Sequence, residues 1–163
     1  MAKNYEYHLL LGGNLKETLQ SFKEAIKLLN LTGTVIKTSK IYESEPWGYE
    51  SEHRYKNQAI IFQTEILPFD LLKRTQEIEK KIGRKKTKKT GYEDRIIDID
   101  ILFAGNSLIN AESLKIPHPM LHLRMFTLNP LLDISPRFIH PIFQKSIREL
   151  RDELIQSDQS TIN

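Results

Sequence analysis

The run Arg95-Ile96-Ile97-Asp98-Ile99-Asp100-Ile101-Leu102-Phe103 carries the most chemical content in this 163-residue chain. Read as a β-strand, it sends successive side chains to opposite faces. Ile97, Ile99, Ile101 and Phe103 then share an apolar face, and Asp98 and Asp100 share the other. Two rises of ~3.3 Å separate the aspartates by about 6–7 Å, where like charges repel by roughly 2–3 kcal/mol at an effective dielectric near 20. A strand this apolar is expected to be central in a sheet, so something cationic should relieve the pair. Arg95 or a nearby lysine would do so as a structural ion pair. Mg²⁺ would do so as chemistry, since it takes one or two carboxylates and fills its shell with waters and substrate phosphates. Just upstream lies Arg84-Lys85-Lys86-Thr87-Lys88-Lys89, within a stretch from Lys73 to Arg95 that holds ten basic and four acidic residues. Such a run is either a solvated loop or a site for a polyanion. A carboxylate-held Mg²⁺ beside basic side chains supplies the charge neutralisation and positioning that phosphoryl transfer needs.

Two further groups have chemical potential. In Tyr42-Glu43-Ser44-Glu45-Pro46-Trp47-Gly48, followed by Tyr55-Lys56-Asn57, the single tryptophan sits in a loop between Pro and Gly. Trp47 either packs back as a plug or walls a pocket for a flat ligand. In the second case Asn57, with both a donor and an acceptor, suits the edge of a heterocycle such as a pterin or purine. In Ile116-Pro117-His118-Pro119, with Arg124 and Phe126 after it, His118 is either a surface residue on a rigid turn or a phosphate ligand working with the Arg124 fork. The chain contains no Gly-x-x-x-x-Gly-Lys-[Ser/Thr] string, so its phosphates are not held by a P-loop. It has no cysteine, which removes disulfides, thiolate metal sites and thiol catalysis.

The elements that must position these groups follow from periodicity. Glu6–Leu11 reads as a strand ending in a turn at Gly12-Gly13, with Asn14 capping a helix whose stripe is Leu15, Leu19, Phe22, Ile26 and Leu29. Thr34–Glu43 and Asn57–Glu65 read as strands. Pro68 opens a second helix through Leu71, Leu72, Ile78 and Ile82, with Gly83 as its stop. Arg95–Phe103 is the next strand, Asn106–Ile116 a small hairpin, and a Pro-rich passage leads to a last helix over about Ser146–Ile155. Strand, helix, strand, strand, helix, strand is the order of the α+β, ferredoxin-like βαββαβ unit, an antiparallel sheet with both helices on one face. Residues 1–163 are expected to form a single domain with a C-terminal extension. Net charge is +3, from 24 Lys and Arg against 21 Asp and Glu, too mild to demand nucleic acid. No apolar stretch approaches the ~20 residues a bilayer requires, and Leu9-Leu10-Leu11 is too short for a signal-peptide core. A cytoplasmic monomer with no membrane partner is expected.

Taken together, these strings resemble the 6-hydroxymethyl-7,8-dihydropterin pyrophosphokinase family of folate biosynthesis. The resemblance rests on Leu11-Gly12-Gly13-Asn14-Leu15, Tyr42-x-Ser44-x-Pro46-x-Gly48, Asn57, Thr75-Gln76-x-Ile78-Glu79, Gly83-Arg84, Arg95-x-x-Asp98-Ile99-Asp100 and Pro117-His118, in order and at matching spacing. It implies transfer of diphosphate from ATP to the pterin hydroxymethyl group with release of AMP, the pterin oxygen attacking the β-phosphorus in line. It implies two Mg²⁺ ions held by Asp98 and Asp100, with Arg95 and Arg84 also catalytic. The pterin would be lined by Ser44, Glu45, Trp47, Tyr55, Asn57 and Phe126. ATP would be held by Gln76, Glu79, Arg84, Lys86, Arg95, His118 and Arg124, with residues 84–94 closing over it. Two other readings remain at this point. RNA-recognition modules share the element order, and Glu93-Asp94 before the signature Arg95 raises a relative that binds ATP without turnover.

Overall fold

The computed structural model describes residues 3–45, 54–83 and 96–162. Five strands form the main sheet: β1 (Tyr5–Gly13), β2 (Thr34–Thr38), β3 (Tyr42–Ser44), β4 (Tyr55–Thr64) and β5 (Asp98–Ala104). Their order is β2-β4-β1-β5, with β3 also on β4, and each pairing is antiparallel. Helices α1 (Thr18–Leu29) and α2 (Pro68–Ile82) fall between β1 and β2 and between β4 and β5. The fold is therefore the α+β, ferredoxin-like arrangement that the element order implies.

Alternation along the strands divides the sheet into two faces. Leu9 and Leu11 of β1, Ile60 and Phe62 of β4, and Ile99 and Ile101 of β5 pack against Phe22, Ala25 and Leu29 of α1 and Leu71 and Ile78 of α2. Leu10, Ala59 and Ile61 point the other way, into a second core. That core is closed by α3 (Met125–Ile134), through Leu128, Leu131 and Ile134, and by α4 (Ile147–Ile162), through Ile147 and Leu150. So α1 and α2 do share one face, but the opposite face is covered too. Burial on both sides is why Ala59-Ile60-Ile61-Phe62 is apolar throughout rather than alternating. The hairpin is β6 (Ile109–Asn110) with β7 (Lys115–Ile116).

Several expectations are corrected. Gly12 and Gly13 do not turn: β1 runs through both. A Cβ on Gly13 would sit 2.5 Å from the Ile96 carbonyl oxygen, so glycine is needed there for close approach of two backbones. Asn14 is buried and does not cap α1, whose first residue is Thr18. The Thr18 hydroxyl accepts from the Leu15 amide at 3.1 Å and donates to the Ile96 carbonyl at 3.0 Å, tying the start of α1 to the approach of β5. The buried stripe of α1 runs through Thr18, Ser21, Phe22, Ala25, Leu28 and Leu29, and Leu19 is exposed. The expected strand over 34–43 is broken into β2 and β3 around buried Ser39, whose hydroxyl accepts from the Ala59 amide at 2.9 Å. Phe103 does not share a face with Ile97, Ile99 and Ile101. Pairing with β1 slips between His8 and Leu9, leaving Leu102 as the extra residue, and Leu102 and Phe103 both turn into the second core. The Pro-rich passage conceals α3, which contains Pro130 within its ten residues.

Candidate active site

Cross-strand register builds the site. Tyr42 of β3 lies opposite Asn57 of β4, Asn57 opposite Gly12 of β1, and Gly12 opposite Asp98 of β5. The next row is Ala59, Leu10 and Asp100. Residues directly opposite point to the same face, so Asn57, Asp98 and Asp100 project together from the side that carries α3. Gly12 supplies the gap between Asn57 and Asp98. A Cβ there would come within 2.9 Å of Asn57 Oδ1.

A cavity opens over these rows. Leu10 and Gly12 form its base, Ser44, Glu45, Tyr55 and Asn57 one wall, and Asp98 and Asp100 the other. Arg124 and Phe126 close it from above. Arg124 is the N-cap residue just before α3, and its guanidinium lies over the Phe126 ring at 5.5 Å. Two buried polar atoms in this wall, Asn57 Nδ2 and Ser44 Oγ, have no hydrogen-bond partner among the described residues. Leaving such groups unpaired costs about 1–3 kcal/mol each, which a ligand with a polar edge would recover. Glu45 is paired at 3.6 Å with Arg54, which also reaches Glu43 at 3.8 Å.

Of the residues singled out from the sequence, the fold thus brings Ser44, Glu45, Tyr55, Asn57, Asp98, Asp100, Arg124 and Phe126 to one cavity. Gln76 and Glu79 are on α2, which packs on the opposite face; Gln76 is exposed and Glu79 buried. His118 lines a neighbouring groove with Lys115, His122, His140 and Phe143. Its amide donates to the Leu102 carbonyl at the β5 irregularity. Its Nδ1 accepts from the Met120 amide at 3.2 Å. Burial, with Arg124 second, pushes its pKa down to about 4, so near pH 7 the ring is neutral and its proton sits on Nε2. Trp47, Arg84, Lys86, Arg95 and the Glu93-Asp94 pair lie outside the described residues. Leu10 gives no site signal in the sequence, and Gly12-Gly13-Asn14 reads there as a strand-to-helix turn or a phosphate turn rather than a cavity base, because their place depends on which strands neighbour β1.

The donor set suits a hard cation. Asp98 and Asp100 offer carboxylate oxygens on one face, and among the described residues no group of three or more His, Asp or Glu side chains forms a closed metal cage. Mg²⁺ is characteristically held by one or two carboxylates plus water and phosphate oxygens, so these residues fit it. The RNA-recognition reading loses its surface, because the face that would stack bases is packed against α3 and α4 and carries the two aspartates. Among the described residues no helix is long and apolar enough to cross a membrane.

Comparison with known proteins identifies the family of the chain. The family model for 7,8-dihydro-6-hydroxymethylpterin-pyrophosphokinase (HPPK) matches residues 8–136. The chain is 38% identical over 146 residues to the 2-amino-4-hydroxy-6-hydroxymethyldihydropteridine pyrophosphokinase of Aquifex aeolicus, covering 90% of each chain. It is also 38% identical over 156 residues to the folic acid synthesis protein fol1 of Pneumocystis carinii, covering 95% of this chain and 21% of that protein. Among solved structures, Plasmodium falciparum HPPK-DHPS with pteroate superposes with a TM-score of 0.79 at 17% identity, covering 99% of this chain and 46% of that one. With a family match over most of its length and a relative of this similarity, the chain belongs to the 7,8-dihydro-6-hydroxymethylpterin-pyrophosphokinase family.

Proposed function

We propose that the cavity over the Asn57–Gly12–Asp98 row is where this pyrophosphokinase transfers diphosphate from ATP to 6-hydroxymethyl-7,8-dihydropterin. The observation that carries the proposal is the juxtaposition of two carboxylates and a buried amide, whose Nδ2 has no hydrogen-bond partner among the described residues, on one sheet face, separated by a glycine gap. Asn57 presents a donor and an acceptor to the pterin edge, and the Ser44 hydroxyl adds a second polar contact. Tyr55 and Phe126 offer ring faces to the flat heterocycle. The hydroxymethyl group would then point along the row toward Asp98 and Asp100. Arg124, with its planar fork of donors, is placed to fix phosphate oxygens, and neutral His118 offers an Nε2 proton beside it.

Asp98 and Asp100 would hold two Mg²⁺ ions, which when bound with ATP neutralise the triphosphate charge. The remaining work of the chain is orientation: holding the acceptor oxygen close to and in line with the phosphorus it attacks. Gln76, Glu79, Arg84, Lys86 and Arg95 are assigned to ATP, and Trp47 to the pterin, on the family resemblance. The segment 84–94 is proposed to close over the nucleotide and exclude water as a competing acceptor. The test is AMP release by Asp98→Ala with ATP, Mg²⁺ and the pterin. Turnover is expected to disappear while the circular dichroism spectrum and melting temperature are retained. Near-normal AMP release would refute the assignment of Asp98. A wild-type chain that binds ATP without releasing AMP would favour the inactive-relative reading instead.

A further inference from the structure

The cavity has two walls that belong to different parts of the chain. One is the sheet edge, where β3 is only three residues long and is held in the sheet by β4. The other is α3, which presents Arg124 and Phe126 from its N-terminal end. At the opposite end of α3 lies Asp133, nine residues beyond Arg124 and so about 14 Å along the axis at ~1.5 Å per residue. Its carboxylate reaches back to the strand edge twice. Oδ1 accepts from the Tyr42 hydroxyl at 2.6 Å, and Oδ2 accepts from the Lys40 amide at 3.1 Å. Tyr42 is the residue opposite Asn57 in the row that crosses the base of the cavity, and Ser44 of the wall is two residues further along the same strand.

We infer that the Asp133–Tyr42 bridge is a positioning device for the pterin subsite, setting the separation between the α3 wall and the β3 wall and holding Asn57 in register. This rests on reading the cavity as the active site. The bridge itself touches no substrate: neither Tyr42 nor Asp133 lines the cavity. Its leverage comes from placement. β3 is joined to β2 through the break around Ser39, and among the described residues no strand pairs with its far side. Both bonds end on one carboxylate, and bonds to an ionised acceptor are stronger than neutral ones. The Tyr42 phenol is correspondingly held protonated, its pKa pushed up to about 12 chiefly by that hydrogen bond. A loosened bridge would let β3 move away from α3. The polar contacts of the β3 wall would then part from the Phe126 ring opposite them, while the groups that hold triphosphate would stay in place.

The experiment compares wild type, Tyr42→Phe, Asp133→Ala and the double variant, with Asp98→Ala as a reference for the site itself. Steady-state KM is measured separately for the pterin and for ATP, at a temperature well below each melting point. Tyr42→Phe keeps the ring and removes only the hydroxyl, so folding is preserved. It should raise KM for the pterin by about fivefold, with KM for ATP changed by less than about twofold. Asp133→Ala removes both bonds and should raise pterin KM further, and adding Tyr42→Phe to it should bring no extra effect. Unchanged pterin KM in both single variants would overturn the inference. So would a parallel rise in both KM values, or additive effects in the double variant. If Asp98→Ala still releases AMP, the site reading itself has failed. If Asp98→Ala is inactive and the bridge variants match wild type, only the bridge has failed.

Discussion

The two faces of the sheet use the same strands for different ends. On the α1/α2 face every strand position that meets a helix is apolar: Leu9, Leu11, Ile60, Phe62, Ile99 and Ile101 are at most 5% exposed. On the α3/α4 face the rows change character along their length. Ile61, Ala59, Leu10 and Phe103 build a core at one end, and Asn57, Gly12, Asp98 and Asp100 open a cavity at the other. Alternation makes this possible. Each strand can keep an uninterrupted apolar side while its other side carries charge. The expectation that the aspartate strand is central is corrected: among the described residues β5 stands at the sheet edge and pairs only with β1, and its apolar run comes from burial of one face against α1 and α2.

The sharpest test of that division is to damage each face separately. Asp98→Ala should lower turnover by about a thousandfold or more, as expected for loss of a charge-organising group, with stability within about 0.5 kcal/mol of wild type. Phe22→Ala, in α1 and 1% exposed, should do the reverse. It should destabilise by about 3–5 kcal/mol in urea unfolding and leave pterin KM unchanged in the folded fraction. If either variant produced both effects, the faces would not be independent. Gly12→Ala probes the boundary between them. The added methyl would press on Asn57 Oδ1, so pterin KM should rise by about tenfold as that amide is displaced, with a smaller effect on ATP.

The smallest effect concerns acid. The α3/α4 face buries His8, which meets the Ser135 hydroxyl at 2.8 Å, and His140, whose Nδ1 accepts from the Ile142 and Phe143 amides. Burial lowers both pKa values to about 4, with His122 adding to the shift at His140. The unfolded chain, with histidines near 6.5, binds more protons than the folded chain in between. Stability contributed by the neutral rings is therefore complete above about pH 6.5 and is lost as pH falls toward 4. The urea midpoint should drop across that window, and His8→Gln should flatten part of the drop. An unchanged slope in His8→Gln would remove His8 from this account.

Much of the site was legible because it depends on local rules. Strand alternation places Asp98 with Asp100, and the type and spacing of Asn57, Arg124 and Phe126 marked them before any contact was known. What stayed hidden depends on register and tertiary contact. Gly12 resembles a turn residue until β4 and β5 are known to flank it. Phe103 changes face because of one extra residue in β5, which no periodicity reveals. The helix α3 was masked by Pro130, although Leu128, Leu131 and Ile134 were spaced to mark its buried side. Tyr42 and Asp133 are 91 residues apart, and only the packed fold makes them neighbours.

The central proposal is that Asp98 and Asp100 accept a nucleotide's charge through the divalent cations they would hold. Calorimetric titration with a non-hydrolysable ATP analogue, with Mg²⁺ and then with a chelator, tests it without turnover. Wild type should bind at least about tenfold more tightly when Mg²⁺ is present, and Asp98→Ala should lose most of that difference. Equal affinity with and without the cation in wild type, or an undiminished difference in Asp98→Ala, would contradict it.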